Sequence, residues 1–327
     1  MTARRGPAIW ISWERHRRSR ELARALSVPL YEIVSRQGGH LRTISCTLRT
    51  VGLLLRVRPS LLFVQNPSVQ LAALASLVKP LFGYTLVVDR HSNFDFSNTR
   101  DGLFNRLSNY GLRKADLTIV TNEAVRQLVE AKGGRGIILQ DLLPKLEVKR
   151  DATREGPLRV VYVCSFSPDE PVEEVIQAVG RLDRNVHVYI TGRIPAAFEE
   201  RARRAPTTLT FTGFLPDDEY VNLLGSADVV VALTKREHTL LCGAYEGVSL
   251  RKPLVLSNQE ALRSYFTKGV VLTENTPDAI AAAIRDAVHD RERLSAELGE
   301  LVPALQADWS SRFHRLKSRL GVGDGAA

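Results

Sequence analysis

The stretch Leu233–Ser257, LTKREHTLLCGAYEGVSLRKPLVLS, gathers the residue types that can handle a phosphorylated ligand. A strand pattern ends at Leu233, a polar turn follows, a helix pattern begins near Thr239, and a second strand covers Pro253–Ser257. In an open parallel sheet, ligands sit outside the carboxyl ends of the strands, where helix N-termini direct unpaired N–H groups at phosphate. Thr239, Leu240 and Leu241 are placed to supply those amides. Lys235 and Arg236 stand beside them to neutralise the phosphates, with Arg193 a further candidate. Glu246, one to two turns on, is placed to accept hydrogen bonds from sugar hydroxyls, its plain alternative being a helix-surface carboxylate.

Positioning these groups requires a scaffold, and apolar runs of strand length alternate with helical patterns along the whole chain. In the first half, strands are expected at Ala8–Ser12, Leu30–Val34, Ser60–Gln65, Thr85–Asp89, Leu117–Thr121 and Gly136–Gln140, with helices at Arg15–Leu26, Arg42–Arg56, Ser68–Leu81, Leu103–Lys114 and Ala124–Lys132. Lys145–Pro157 is polar and aperiodic and reads as a linker. Strands are then expected at Arg159–Cys164, Val186–Thr191, Leu209–Thr212, Val229–Leu233, Pro253–Ser257 and Val270–Thr273, with helices at Val172–Leu182, Ala196–Arg204, Asp218–Leu224, Thr239–Leu250 and Asp278–Glu297. A last amphipathic helix, Val302–Leu320, could cross back to the first domain before a Gly/Ala tail. The expected organisation is therefore α/β, with two doubly wound domains at 1–150 and 151–300 and a helix and tail at 301–327.

The 327 residues suit about two domains. Three scattered cysteines form no C-x-x-C pair, which points to a reducing compartment and a cytoplasmic location. No run reaches the ~20 apolar residues of a membrane span. Residues 1–150 hold 24 Lys+Arg against 11 Asp+Glu (+13) and residues 151–327 hold 21 against 25 (−4), which together give the net +9. The basic half suits an anionic partner, either phosphate-bearing lipid at the inner face of a membrane or nucleic acid, or reflects a general use of Arg on the surface. An apolar Leu71–Phe82 surface would add to a peripheral membrane contact, unless those side chains are core. Nucleic acid is disfavoured, because Arg15–Arg24 has no interleaved aromatics. No G-x-x-x-x-G-K-[ST] is present, no G-x-G-x-x-G follows the first strand, and no aspartates stand at D-x-D spacing. P-loop hydrolysis, dinucleotide redox chemistry and the usual carboxylate clamp for a metal-held nucleotide are thereby set aside, and no cofactor or essential metal is expected.

The run Tyr245-Glu246-Gly247-Val248-Ser249-Leu250-Arg251-Lys252-Pro253-Leu254-Val255 resembles the E-A-x-A-x-G-x-P-V-V segment of GT-B glycosyltransferases, especially the family 4 type that uses nucleotide-sugar donors. Val160–Val175, Tyr189–Pro195, Leu209–Tyr220 and Leu224–Val231 are similar to further segments of that family in the same order, so the resemblance spans most of 158–298. It implies two Rossmann-like domains facing a central cleft, with the later domain binding the donor. Glu246 matches the second glutamate of the family's E-x7-E pattern and so implies a ribose contact. His238 stands where the first glutamate belongs, which makes it a catalytic candidate and puts retaining chemistry in question. The first donor loop, Ser165-Phe166-Ser167-Pro168-Asp169-Glu170, lacks the family's diphosphate-binding Arg and Lys; Ser165, Ser167 and, further on, Phe214 remain as donor-side candidates.

In the first half the resemblance rests on Asp89-Arg90-His91, just after a strand, where family members carry a histidine near the reacting carbon. His91 could act there as a base or as a hydrogen-bond partner of the transferred sugar. The first strand-to-helix turn, Trp10–Arg18, is Arg-rich where many such proteins are Gly-rich, so Trp13, Arg15, Arg17 and Arg18 are candidates for a phosphate-bearing, lipid-linked acceptor, with Asn66 at a neighbouring strand end. The expected activity is metal-independent transfer of a sugar from a nucleotide diphosphate to a hydroxyl of a lipid-linked or polysaccharide acceptor, as in cell-envelope polysaccharide synthesis. The competing readings are a non-catalytic nucleotide- or glycan-binding regulatory subunit and a sugar-nucleotide epimerase. The second needs several carboxylates around the sugar, and few stand at matching strand ends.

Overall fold

Parallel strands cannot be joined by a tight turn and need a crossover of a dozen or more residues, so a chain that alternates strand and helix is committed to parallel sheets. The computed structural model describes residues 6–66, 68–91, 102–149 and 156–322. The first half runs β1 (Ala8–Ser12), α1 (Arg17–Ala25), β2 (Leu30–Glu32), α2 (Gly39–Val57), β3 (Leu61–Asn66), α3 (Val69–Phe82), β4 (Thr85–Arg90), α4 (Gly102–Lys114), β5 (Leu117–Val120), α5 (Glu123–Ala131) and β6 (Gly136–Ile138). The second runs β7 (Leu158–Tyr162), α6 (Val172–Val179), β8 (Val186–Thr191), α7 (Ala196–Arg203), β9 (Leu209–Gly213), α8 (Asp217–Gly225), β10 (Val229–Ala232), α9 (Cys242–Ser249), β11 (Leu254–Ser257), α10 (Glu260–Tyr265), β12 (Val270–Thr273), α11 (Pro277–His289) and α12 (Arg291–Leu320).

The strands form two all-parallel six-stranded sheets, β2-β1-β3-β4-β5-β6 and β12-β11-β10-β7-β8-β9. Alternate residues bury on opposite faces, which explains the near-continuous apolar runs. In the first sheet Ile9, Ile11, Leu62, Val64, Leu86 and Val88 pack with Leu53, Leu54, Leu71 and Ala75 from α2 and α3. Trp10, Phe63, Val87 and Ile119 face the other layer, with Leu22, Phe313 and Leu316. Each such fully buried side chain stabilises the fold by roughly 1.5–3 kcal/mol. In the second sheet Val160, Val188, Val229 and Val255 pack against α6 and α11, while Val161, Val230 and Leu254 pack against α9, α10 and α12.

The chain divides into two units, Met1–Leu142 with Trp309–Ala327, and Leu143–Asp308. The end of α12 thus belongs to the first unit, where Phe313 and Leu316 enter the core. The division falls before the expected linker. Leu143 joins the second unit's core, Ser249 donates to the Pro144 carbonyl, and Lys149 N donates to Asn222 at 2.8 Å. Residues 143–149 are therefore a strap lying on the second unit, and 150–155 lie outside the described residues.

Four helices, α9 to α12, differ from expectation. α9 begins at Cys242 and not at Thr239, because His238 turns the backbone with a left-handed φ of 61°. α10 is a six-residue helix, too short for periodicity to reveal. A single expected helix over 278–297 is divided at Asp290, and its second part runs on through Pro303 to take in the expected Val302–Leu320 helix as the continuous α12. Among the described residues no helix is long and apolar enough to cross a membrane. Of the Leu71–Phe82 surface, Leu71, Ala72, Ala73 and Ala75 are core, and only Leu77 and Leu81 stand out as exposed large apolar side chains.

Candidate active site

In the second sheet the strand order reverses between β7 and β10, so its switch point lies at the carboxyl ends of those two strands. The loop after β7 holds Ser165–Glu170, the loop after β10 holds Thr234–Leu241, and α9 opens beside both. Gly243, in the first turn of α9, allows this approach: a Cβ there would stand 2.7 Å from the Val163 Cβ. Gly192, after β8, has a φ of 101° and lies so close to the Cys164 carbonyl that a Cβ would meet it at 2.3 Å.

Asp169 ties the two loops together. It accepts from Thr234 Oγ1 at 2.8 Å and from Ser167 Oγ, and pairs with Arg236 at 3.3 Å. Burial pushes its carboxyl up, but those hydrogen bonds and the Arg236 charge outweigh burial and hold it below its ordinary range. Glu170 turns back into its own loop, where its carboxylate accepts from Ser165 N at 3.0 Å, Ser167 N at 2.7 Å and Ser165 Oγ at 3.1 Å. Backbone amides in such a loop are an anion cradle, and here the anion is the chain's own.

These contacts revise several expected roles. Lys235 pairs with Glu174 at 2.8 Å, so both basic residues after β10 already have carboxylate partners. Thr239 and Leu240 precede α9, and the first-turn amides belong to Cys242 and Gly243. Leu240 packs on the core of this unit, and Thr239 Oγ1 donates to the Glu237 carbonyl at 3.3 Å. Arg193 and Phe214 are exposed. His238 lies 3.7 Å from Glu237 in the turn that precedes α9. Glu246 is 8% exposed, and its Oε2 accepts the Tyr220 hydroxyl at 2.5 Å. It is therefore no surface carboxylate. Tyr220, on α8, was not singled out by sequence, and neither were Asp169 and Thr234 in their tying role.

In the first sheet the reversal lies between β1 and β3, and β4 ends beside β3. Asp89, at the end of β4, is fully buried and accepts from Arg18 Nε at 3.0 and 3.2 Å and from His91 at 3.1 Å. Arg18 also pairs with Asp141 and donates to the Leu139 carbonyl at 2.8 Å. Burial pushes the Asp89 carboxyl up, but Arg18 and His91 outweigh burial and hold it at about 2. An ionised carboxylate only accepts, so Nδ1 of His91 is the donor to Asp89, and Nε2, buried and without a hydrogen-bond partner among the described residues, is the ring atom left for a further contact.

Arg18 and Trp13 therefore do not serve an acceptor. Arg18 is locked in the buried ion network. Trp13 is 3% exposed, with its indole donating to Thr50 at 2.9 Å, because a side chain that large after β1 completes the core. Arg15 is exposed and Arg17 pairs with Glu21 at 2.7 Å. Asn66 is buried at the end of β3.

The His16 ring lies 4.3 Å from that of His91, and burial, then the His91 charge, push its pKa from 6.5 to about 4. Because the folded value lies below the unfolded one, His16 contributes fully above pH 6.5, and the contribution is lost as pH falls from 6.5 toward 4. His16→Gln should flatten the thermal midpoint against pH in that window, as read by tryptophan fluorescence.

Two tandem parallel sheets of this strand order, with loops gathered at a switch point, define the GT-B class. Residues 145–300 match the family model described as "Glycosyl transferases group 1", and the range read from motifs, 158–298, falls inside it. The match lies within the second unit and covers just under half of the chain, and the fold of the chain is GT-B. Among solved structures, Anabaena HepE in complex with UDP and glucose is 13% identical at a TM-score of 0.71, over 95% of this chain and 91% of that one. Sucrose-phosphate synthase from Thermosynechococcus elongatus is 15% identical at 0.70, over 89% and 82%. A glycosyltransferase from Rickettsia africae is 11% identical at 0.70, over 98% and 91%. At these identities the likeness is one of fold. No curated protein matches the chain in sequence.

Proposed function

We propose that the chain transfers a sugar from a nucleotide diphosphate to a hydroxyl of a lipid-linked or polysaccharide acceptor, without a metal. The observation that carries this reading is the β7–β10 switch point, where α9 opens with Glu246 fixed behind its first turn. There the diphosphate meets the amides of Cys242 and Gly243, and Lys235 and Arg236 exchange their carboxylate partners for phosphate. Glu246, held by Tyr220, takes the ribose hydroxyls. The first unit serves the acceptor: His91 Nε2 removes the hydroxyl proton while Asp89 fixes the tautomer and stabilises the imidazolium. That role requires substrate to reach the buried Nε2. UDP and glucose in HepE suggest UDP-glucose as the first donor to test. Release of UDP or GDP from the nucleotide-sugar, stimulated by a polyprenyl-phosphate-linked acceptor with the sugar recovered on that acceptor, tests the reading.

A second reading, a nucleotide- or glycan-binding subunit without transfer, draws on the Glu170 carboxylate seated on the loop amides and on His238 in place of a carboxylate. Glu170 separates the two. Replacing it with Gln removes the charge that opposes an incoming diphosphate, and UDP should bind about tenfold tighter, roughly 1.4 kcal/mol, by titration calorimetry. If donor hydrolysis rises with it, transfer is supported; tighter binding with no turnover supports the subunit.

A further inference from the structure

Helix α2 carries an apolar stripe that no described residue covers. Leu41, Ile44, Leu48 and Leu55 are 63, 56, 67 and 57% exposed. Their spacing sets them along one side of the helix, over about 21 Å at 1.5 Å per residue. The pair Leu-Arg recurs every seven residues, at 41–42, 48–49 and 55–56, so a row of arginines runs beside the row of leucines. The adjoining α3 adds Leu77 and Leu81, 66 and 84% exposed. Single exposed leucines are ordinary, but six large apolar side chains on two adjoining helices mark an interaction surface. Beside the arginine row a groove of about 510 Å³ opens against the edge strand β2, lined by Tyr31, Ile33, Arg49, Leu53 and Arg56 and by Glu32, whose carboxylate is paired with Arg20 at 2.8 Å.

Charge indicates what covers the stripe. Between Glu32 and Asp89 the chain has no acidic residue, but it has Arg36, Arg42, Arg49, Arg56, Arg58 and Lys79. Arg36, Arg49, Arg56 and Arg58 are exposed. Two copies of α2 packed together would bring their arginine rows to one face with no carboxylate on either helix to meet them. A surface that is apolar at its centre and basic at its rim matches the headgroup and acyl boundary of an anionic bilayer. We infer that α2 and the exposed end of α3 dock on an anionic phospholipid membrane. Leu41, Ile44, Leu48, Leu55, Leu77 and Leu81 enter the acyl boundary, and Arg49 and Arg56 hold headgroup phosphates at the mouth of the groove. This rests on the first unit alone and stands whether or not the chain transfers sugar.

The test is flotation of the full chain with vesicles of phosphatidylcholine alone or with roughly one-third phosphatidylglycerol. The chain should float with the anionic vesicles and not the neutral ones, and salt should release it. The quadruple variant Leu41→Gln, Ile44→Gln, Leu48→Gln and Leu55→Gln should partition at least about tenfold less while keeping the wild-type unfolding midpoint, since those side chains are exposed. Arg49→Gln with Arg56→Gln should weaken binding to the anionic vesicles specifically. No flotation of the wild type, or equal flotation of the quadruple variant, overturns the inference. So does a dimer in sedimentation that the quadruple variant dissociates without any vesicle binding, which would give the face to a second copy.

Discussion

Arg18→Met should lower the stability of the first unit by about 3–5 kcal/mol, the usual result of leaving a buried charge without its partner. Asp89 has no solvent exposure, and Arg18 gives it two contacts while reaching Asp141 and the Leu139 carbonyl. The network ties α1 to the ends of β4 and β6, so its loss also frees the backbone that carries His91. All three tryptophans, Trp10, Trp13 and Trp309, lie in the first unit, so urea unfolding followed by tryptophan fluorescence reads that unit alone. Asp89→Leu combined with Arg18→Met should recover part of the loss, because an apolar pair leaves no unmatched charge. The same pairing has a pH signature. Because the folded Asp89 value of about 2 lies below the ordinary 3.8, its contribution is complete above that range and is lost as pH falls toward 2.

Glu246→Ala should reduce kcat/KM for a nucleotide-sugar by roughly tenfold to a hundredfold, the worth of a hydrogen bond to a charged group at about 1.5–3 kcal/mol. A ribose contact made equally in ground and transition states acts mainly through KM, so kcat should change little. Tyr220→Phe leaves the carboxylate in place but removes the 2.5 Å hydrogen bond that orients it, and should give a smaller rise in KM. If both variants bind and turn over donor as the wild type does, Glu246 is structural.

The framework of this fold was open to a reader of the sequence because parallel strands buried on both faces announce themselves as apolar runs. All twelve expected strands correspond to observed ones, with ends differing by at most two residues. Helix ends were less legible. The run Thr239-Leu240-Leu241 continues the apolar pattern of α9, but a single left-handed residue, His238, ends the regularity. The division at Asp290 is hidden because apolar positions continue on both sides of it.

Among candidate site residues, Glu246 stands out in the sequence through its place after a strand and within a motif. Its partner Tyr220 does not, since nothing in the sequence measures the approach of α8 to α9. Arg18 and Trp13 were misassigned for a related reason. A basic or aromatic residue in a strand-to-helix turn suggests a ligand until the partner is known, and Asp89 lies 71 residues from Arg18. The role of Glu170 required coordinates as well. The sequence shows an acid where the family carries cations, but only the structure shows that acid filling the amide cradle.

The sugar transfer proposed for this chain depends on the β7–β10 switch point being a nucleotide-diphosphate site. It is tested most directly by the thermal midpoint of the full chain, wild type and Glu170→Gln, with UDP and with GDP. A ligand that binds only the folded form adds about 2.7 kcal/mol at a hundred times its Kd. A rise is expected with one of the two nucleotides, larger in Glu170→Gln and reduced in Glu246→Ala. No rise with either nucleotide in either protein, at concentrations that saturate a millimolar site, would contradict it.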